Sequence, residues 1–249
     1  MNVFLFGVLP YLSALLLIGG LWYRYRFDQF GWTSRSSQMY EGTILKVASP
    51  VFHFALLGIL AGHIIGLFIP KAWTDAIGIT QHVYHLFAVG IGGLAGVLCI
   101  GALVVLIWRR RTNARVFAAT TANDKMMYVI LGATLVFGMV ATLFGGQDST
   151  GHEVNYRETV SVWFRSLFIF QPDIDAMAAA TTPFKVHVIV ALVLFAILPL
   201  TRLVHAFAVP LQYLFRPYVV YRSRGQVGGS DGSGRPTNSW QTLGGKRNN

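Results

Sequence analysis

Charge is what this chain has least of. Of its 249 residues only 12% are charged and 54% are hydrophobic, and the mean hydropathy is +0.53. Soluble domains carry roughly a quarter charged residues, so an ordinary water-soluble domain is excluded and a polytopic membrane protein is expected. Acid is scarcer than base, with 10 Asp and Glu against 20 Lys and Arg and a net charge of +10. The excess base lies between apolar runs and in the tail. Membrane topology accounts for it there, and no nucleic-acid partner is expected. Cysteine is almost missing: Cys99 stands alone in an apolar run, which excludes a disulfide framework within the chain. The start of the chain lacks both a basic region and a small-residue cleavage site, so the first apolar run is expected to be a retained helix.

What the chain does have is apolar length. A spanning helix needs about 20 apolar residues, and five runs qualify: about Val3–Tyr23, Ala48–Ile69, Tyr84–Trp108, Met126–Phe144 and Phe184–Phe207. Pro10 predicts a kink early in the first. Gly92 and Gly96 in the third form a small-x-x-x-small pair, which predicts close helix packing. The first and third connections are basic, with Arg24, Arg26, Arg35 and Lys46 in one and Arg109, Arg110, Arg111, Arg115 and Lys125 in the other, and the tail is basic again. By the positive-inside rule these face the cytoplasm. The expected fold is therefore an all-α polytopic membrane protein of five transmembrane helices, in the cell (plasma or inner) membrane, with the N-terminus outside and the C-terminus cytoplasmic. The transmembrane domain is expected over 1–222. Residues 223–249, rich in Gly, Ser and Arg, read as a flexible cytoplasmic tail. Thr159–Phe170 is apolar but short and carries Arg165, so it is expected as an amphipathic helix at the outer interface.

Two of the five runs each contain a pair of histidines, and ionisable side chains are costly in lipid and so mark function. The second holds His53 and His63, and the fifth holds His187 and His205. With the second run passing outward and the fifth inward, depth pairs His63 with His187 near the outer face and His53 with His205 near the inner. His53 and His63 are ten residues apart, about 15 Å by helical rise, whereas eighteen residues separate His187 from His205, about 27 Å and five full turns on a continuous helix. Tilt, a kink at Pro199 and differing ring angles are expected to absorb the mismatch. Four histidines paired by depth on two helices suit the axial ligation of two haems across the membrane, though their spacing does not give a plain stack of two parallel haems. With no C-x-x-C-H motif in the sequence, such haems are held non-covalently. Filling both axial positions suits electron transfer. Arg202, three residues before His205, is the candidate counter-charge for a haem propionate. A proton relay would need Asp or Glu within the spans, and the five runs contain none.

The stretches WTSRSSQMYE, SPVFHFALLGILAGHIIG, GGLAGVLC and FAILPLTRLVHAFAVPLQYLFRPYVVYRSR resemble the gamma subunit of membrane-bound respiratory nitrate reductase, a dihaem cytochrome b. The resemblance runs from the first span to about Arg222. It implies two haem b groups, with His63 and His187 as the iron ligands of the outer one and His53 and His205 as those of the inner. It implies a membrane anchor that oxidises quinol from the membrane quinone pool, menaquinol or ubiquinol. Electrons then pass from the outer to the inner haem and on to an iron–sulfur beta subunit and a molybdenum-containing alpha subunit in the cytoplasm. No molybdenum or cluster ligands are visible in this chain, so nitrate reduction belongs to a partner. The alternative is the cytochrome b subunit of another quinol-linked reductase, acting on a sulfur compound or a disulfide; a haem-free transporter or structural anchor is a further rival. Members of the family carry a lysine between the second and third spans. Here that stretch reads TQHVYHLF, and His85, His82 and Tyr84 are the candidates for the quinol site.

Overall fold

The computed structural model of the chain describes residues 1–147, 151–152 and 154–208. The tail from 209 onward, including the expected flexible segment 223–249, lies outside the described residues. Five helices are long and apolar enough to cross a membrane, Val3–Phe27, Leu45–Phe68, Gln81–Thr112, Ala122–Phe144 and Thr182–Leu200, and the protein is a multi-pass membrane protein.

The first begins as a π-helical turn, Val3–Val8, before α1 (Leu9–Phe27). The reason is Pro10. Proline has no N–H to give the carbonyl four residues back, which is that of Phe6. The indole Nε1 of Trp163 donates to that carbonyl instead, at 2.8 Å. Further along α1, Ser13 Oγ donates to the Leu192 carbonyl (2.7 Å) and Arg24 Nη1 to the Pro199 carbonyl (2.8 Å). Gly20 lets α1 close on Pro199 at that point, since a Cβ there would lie 2.7 Å from Pro199 Cβ.

α2 (Leu45–Phe68) carries His53 and His63. The carbonyls at its C-terminal end have no partners within the helix, and three side chains from one later segment supply them. Ser161 Oγ donates to Gly66 (2.8 Å), Arg165 Nη1 to Leu67 (3.0 Å) and Arg157 Nη2 to Ile69 (3.4 Å). Two cations at this terminus also suit the negative end of the helix dipole. Ser161 and Arg165 lie on α7 (Val160–Leu167), the amphipathic segment of the sequence. It packs its Val160, Ser161 and Trp163 face inward.

A short helix, α3 (Lys71–Ala76), leads into α4 (Gln81–Thr112). At 32 residues, α4 is about 48 Å long and outruns a hydrocarbon core of about 30 Å. The sequence placed this span at Tyr84–Trp108. The extra turns come from the Thr80 N-cap, whose side chain accepts from Val83 N, and from the Arg109–Arg111 run at the other end. Arg109 is buried, and it gathers Glu41, Ser37 Oγ (2.8 Å) and the Ser37 carbonyl (3.1 Å). This contact anchors the WTSRSSQMYE stretch. The expected Gly92–Gly96 packing seam forms at one of its two positions. Gly96 packs on Met139, but among the described residues nothing lies within 4 Å of where a Gly92 Cβ would be.

After α5 (Ala114–Ala118), α6 (Ala122–Phe144) opens with a capping box between Thr121 and Asp124. The box starts the helix at Ala122 rather than at Met126, so the buried Asp124 lies in its first turn. The sequence reading of this span, free of acid, is corrected to that extent. α8 (Ile174–Ala179) precedes α9 (Thr182–Ile197).

The largest departure from the sequence reading is in the fifth span. One helix was expected to run through Phe207, but α9 ends at Ile197. A 3₁₀ turn follows over Leu198–Leu200, Thr201 is extended (φ −111°, ψ 174°), and a second 3₁₀ turn covers Arg202–Phe207. Pro199 breaks the α pattern, and the residue beyond the break turns the chain. The five-turn alignment of His187 with His205 therefore does not hold. Two apolar clusters close the bundle. One joins α2, α4 and α6 through Phe52, Ala55, Cys99, Ala102, Leu103 and Leu131. The other, towards the Pro70 end of α2, joins Phe6, Val160, Trp163, Met177 and Ala180.

Candidate functional site

The four intramembrane histidines come together in two pairs. His63 and His187 have ring centroids 5.9 Å apart with planes at 42°; His53 and His205 have centroids 6.2 Å apart with planes at 66°. The first pair lies towards the Pro70 end of α2 and the second towards the Leu45 end, ten residues and about 15 Å along the helix. Imidazoles that share one metal ion, each nitrogen about 2 Å from it, place their ring centres about 6 Å apart. Both pairs have that spacing.

The backbone selects the tautomers. His53 Nδ1 donates to the Ser49 carbonyl (2.7 Å), His63 Nδ1 to Ile59 (2.8 Å) and His205 Nδ1 to Arg202 (2.6 Å). A carbonyl only accepts, so each Nδ1 carries a proton, and in the neutral ring Nε2 is the nitrogen left with the lone pair. This is the usual second contact of a metal-ligating histidine. His187 Nδ1 is buried and has no hydrogen-bond partner among the described residues. The ring lies where it does because Gly138 of α6 has no side chain. A Cβ at that position would sit 2.9 Å from His187 Cε1. No pattern in the sequence singles out Gly138, because the contact is made between two helices.

Arg202 is turned to Asp124, with Nε donating to Oδ1 at 2.8 Å and Nη2 lying 2.5 Å from Oδ2 in a buried pair. Its remaining nitrogen, Nη1, is 3.4 Å from the Ser34 and Arg35 carbonyls. The T-x-x-D pattern at Thr121–Asp124 signals a capping residue in the sequence. It gives no sign of the ion pair.

The three quinol-site candidates fall in the first turns of α4, at the same end as His63 and His187. His82 and His85 are exposed. His85 Nε2 lies beside Gly146, 3.6 Å from where a Cβ would stand. Tyr84 is held in place: its hydroxyl is 2.7 Å from that of Tyr156, and the Arg157 guanidinium sits 4.0 Å from its ring centroid. Burial is the main cause that pushes the Tyr156 hydroxyl far above its ordinary pKa, and the Tyr84 hydroxyl adds to it, so Tyr156 stays protonated. Arg157 is fully buried, and its Nε and Nη1 have no hydrogen-bond partner among the described residues. Tyr156 and Arg157 escaped the sequence reading because they lie in a connection far from the spans. At the rim, Lys71 pairs with Glu158, which raises the lysine's pKa.

Comparison with known proteins bears on what this arrangement serves. Nitrate reductase-like protein NarX of Mycobacterium tuberculosis is 51% identical over 220 residues, covering 88% of this chain. This chain spans about a third (34%) of that protein's length. The nitrate reductase gamma chain of Bacillus subtilis is 40% identical over 220 residues, 88% of this chain and 97% of its own. Respiratory nitrate reductase 2 gamma chain of Escherichia coli is 32% identical over 225 residues, 90% of this chain and 98% of its own. A family profile matches residues 2–224, a range that takes in all five spans and both histidine pairs. The chain belongs to the nitrate reductase gamma subunit family.

Proposed function

We propose that this chain is the membrane anchor and quinol-oxidising dihaem b subunit of a respiratory nitrate reductase. In this reading His63 and His187 hold an outer haem b, and His53 and His205 an inner one. The observation that carries the reading is the spacing of the two imidazole pairs, about 6 Å between ring centres, with three of the four Nδ1 atoms tied to backbone carbonyls. Haem held by each histidine pair would supply one-electron transfer, and the partners would be an iron–sulfur beta subunit and a molybdenum-containing alpha subunit in the cytoplasm.

The protein groups have separate tasks. The three carbonyl-tied histidines present unprotonated Nε2 atoms, and Gly138 leaves room for the fourth ring. At the outer end His85 is the exposed base of the quinol site. The imidazole of a histidine can take a hydroxyl proton. Tyr84 is fixed by Tyr156 and Arg157 and forms the wall of that site; His82 lies at its edge. The basic first and third connections support an N-terminus outside, with the partner subunits on the cytoplasmic side.

The test is the haem content of the purified complex and of four ligand variants. Two b haems per chain are expected. His63→Ala and His187→Ala should lose the same one, and His53→Ala and His205→Ala the other. Wild-type protein whose dithionite-reduced spectrum lacks a b-type band would overturn the reading. So would His63→Ala and His53→Ala losing the same haem. Nitrate-dependent oxidation of quinol by the purified complex distinguishes nitrate reductase from a relative serving another acceptor.

A further inference from the structure

His205 is the one of the four histidines that does not sit on a regular α-helix. α9 ends at Ile197, and His205 belongs to a 3₁₀ turn beyond an extended residue, Thr201. Such a turn has poorer hydrogen-bond geometry and little rigidity of its own. Something else must fix the ring.

The first turn of α6 supplies it. Asn123 Nδ2 donates to the Leu200 carbonyl at 2.7 Å, so one residue of that turn clasps the chain just before Thr201. The next residue, Asp124, is buried and takes the Arg202 guanidinium with both carboxylate oxygens. Asp124 is itself held by its helix. Oδ2 accepts from Thr121 N at 2.9 Å, and its own N–H donates to Thr121 Oγ1. The same Arg202 offers its backbone carbonyl to His205 Nδ1 at 2.6 Å. Carboxylate, guanidinium, backbone carbonyl and imidazole form one linked chain from α6 to the ring. The Thr201 side chain closes the turn by accepting from Leu203 N.

We infer that Asn123 and Asp124 are positioning residues for His205, which set the angle of its ring against His53 through the Leu200 and Arg202 clasp. This rests on the dihaem reading above, and it gives Arg202 a different task from neutralising a propionate. A charged partner held bidentately fixes direction as well as distance, and contacts behind a metal-ligating histidine orient the ring. The ring angle is observable. In a low-spin ferric haem with two imidazole ligands, the spread of the electron paramagnetic resonance g-values follows the angle between the ring planes, here 66°.

The experiment compares purified holo-complexes carrying wild type, Asp124→Asn, Asp124→Glu and Asn123→Ala. Asp124→Asn keeps the cap acceptor but loses the charge. It is expected to shift the g-maximum of one haem only, the one that His205→Ala removes, and to leave unchanged the one that His187→Ala removes. Loss of that one haem with the other kept has the same meaning. Asp124→Glu should return the signal towards wild type. Should Asp124→Asn fail to assemble, Asn123→Ala removes only the Leu200 clasp and should move the same signal to a smaller extent. Unaltered g-values for both haems in Asp124→Asn or, where that variant fails to assemble, in Asn123→Ala would overturn the inference, even with a lowered melting temperature. Wild-type complex without haem would instead sink the dihaem reading itself.

Discussion

At the scale of single residues the pivotal group is a glycine. The His187 ring occupies the volume that a side chain at position 138 would need, with Cβ only 2.9 Å from Cε1. The obstacle would be a rigid ring seated between helices, which has little freedom to yield. Gly138→Ala should therefore displace His187 and cost the complex one haem, the same one lost in His187→Ala, while the other is retained. Gly101 faces open space, and Gly101→Ala should leave both. Pyridine haemochrome content per protein checks the pair. The ring angles give a second prediction at this scale. The His53–His205 planes cross at 66° and the His63–His187 planes at 42°, so the former pair should give the larger g-maximum, assigned through the ligand variants. The histidines were legible because an ionisable group in an apolar run stands out by its cost. Gly138 was not, since the contact that makes it matter joins α6 to α9 and leaves no trace in the local pattern. Asp124 was half legible. Its capping role follows from Thr121 three residues before, but its partner lies 78 positions away.

At the scale of elements, helix ends were harder to read than helix interiors. Apolar length located all five spans, because a bilayer sets that length directly. It did not show where α9 stops or how α2 is closed. Pro199 was expected to kink a helix that would continue, but the chain leaves the α conformation there. Arg24 Nη1 takes the Pro199 carbonyl at 2.8 Å and Gly20 lets α1 pack on the ring. The C-terminal end of α2 is closed by three donors between Arg157 and Arg165, more than 80 residues on. Ser161→Ala would leave the buried Gly66 carbonyl without its donor, a loss of about 1–3 kcal/mol, and should lower the melting temperature of the complex with both haems kept. Trp163→Phe removes the donor that replaces the missing Pro10 N–H at the Phe6 carbonyl and should act in the same direction. The Arg109–Glu41 pair makes the first connection sensitive to acid. Arg109 and the Ile44 N–H hold the Glu41 carboxyl below its ordinary range. A lowered carboxyl pKa stabilises the fold above the unfolded value and ceases to do so as the pH falls through the folded value. Cleavage within residues 24–44 by an acid-tolerant protease should rise over that interval.

At the scale of the whole molecule, the two histidine pairs matter because they lie at different depths. Each charge carried across the full membrane works against or with the potential, about 2.3 kcal/mol per 100 mV. Quinol oxidised at one face and electrons collected at the other conserve free energy only if the pairs are ordered in the proposed direction. That direction rests on the basic residues of the first and third connections, and it can be read without any redox measurement. Cys99, the single native thiol, is fully buried, so the background to thiol labelling is low. Phe30 in the first connection is 97% exposed and Ile77 in the second is 73% exposed. In intact cells a membrane-impermeant maleimide should label Ile77→Cys and leave Phe30→Cys untouched until the membrane is opened. The opposite pattern would place the His63–His187 pair near the cytoplasm, bring the supposed quinol end to the side of the catalytic partners, and remove the physical reason for separating the two pairs along α2.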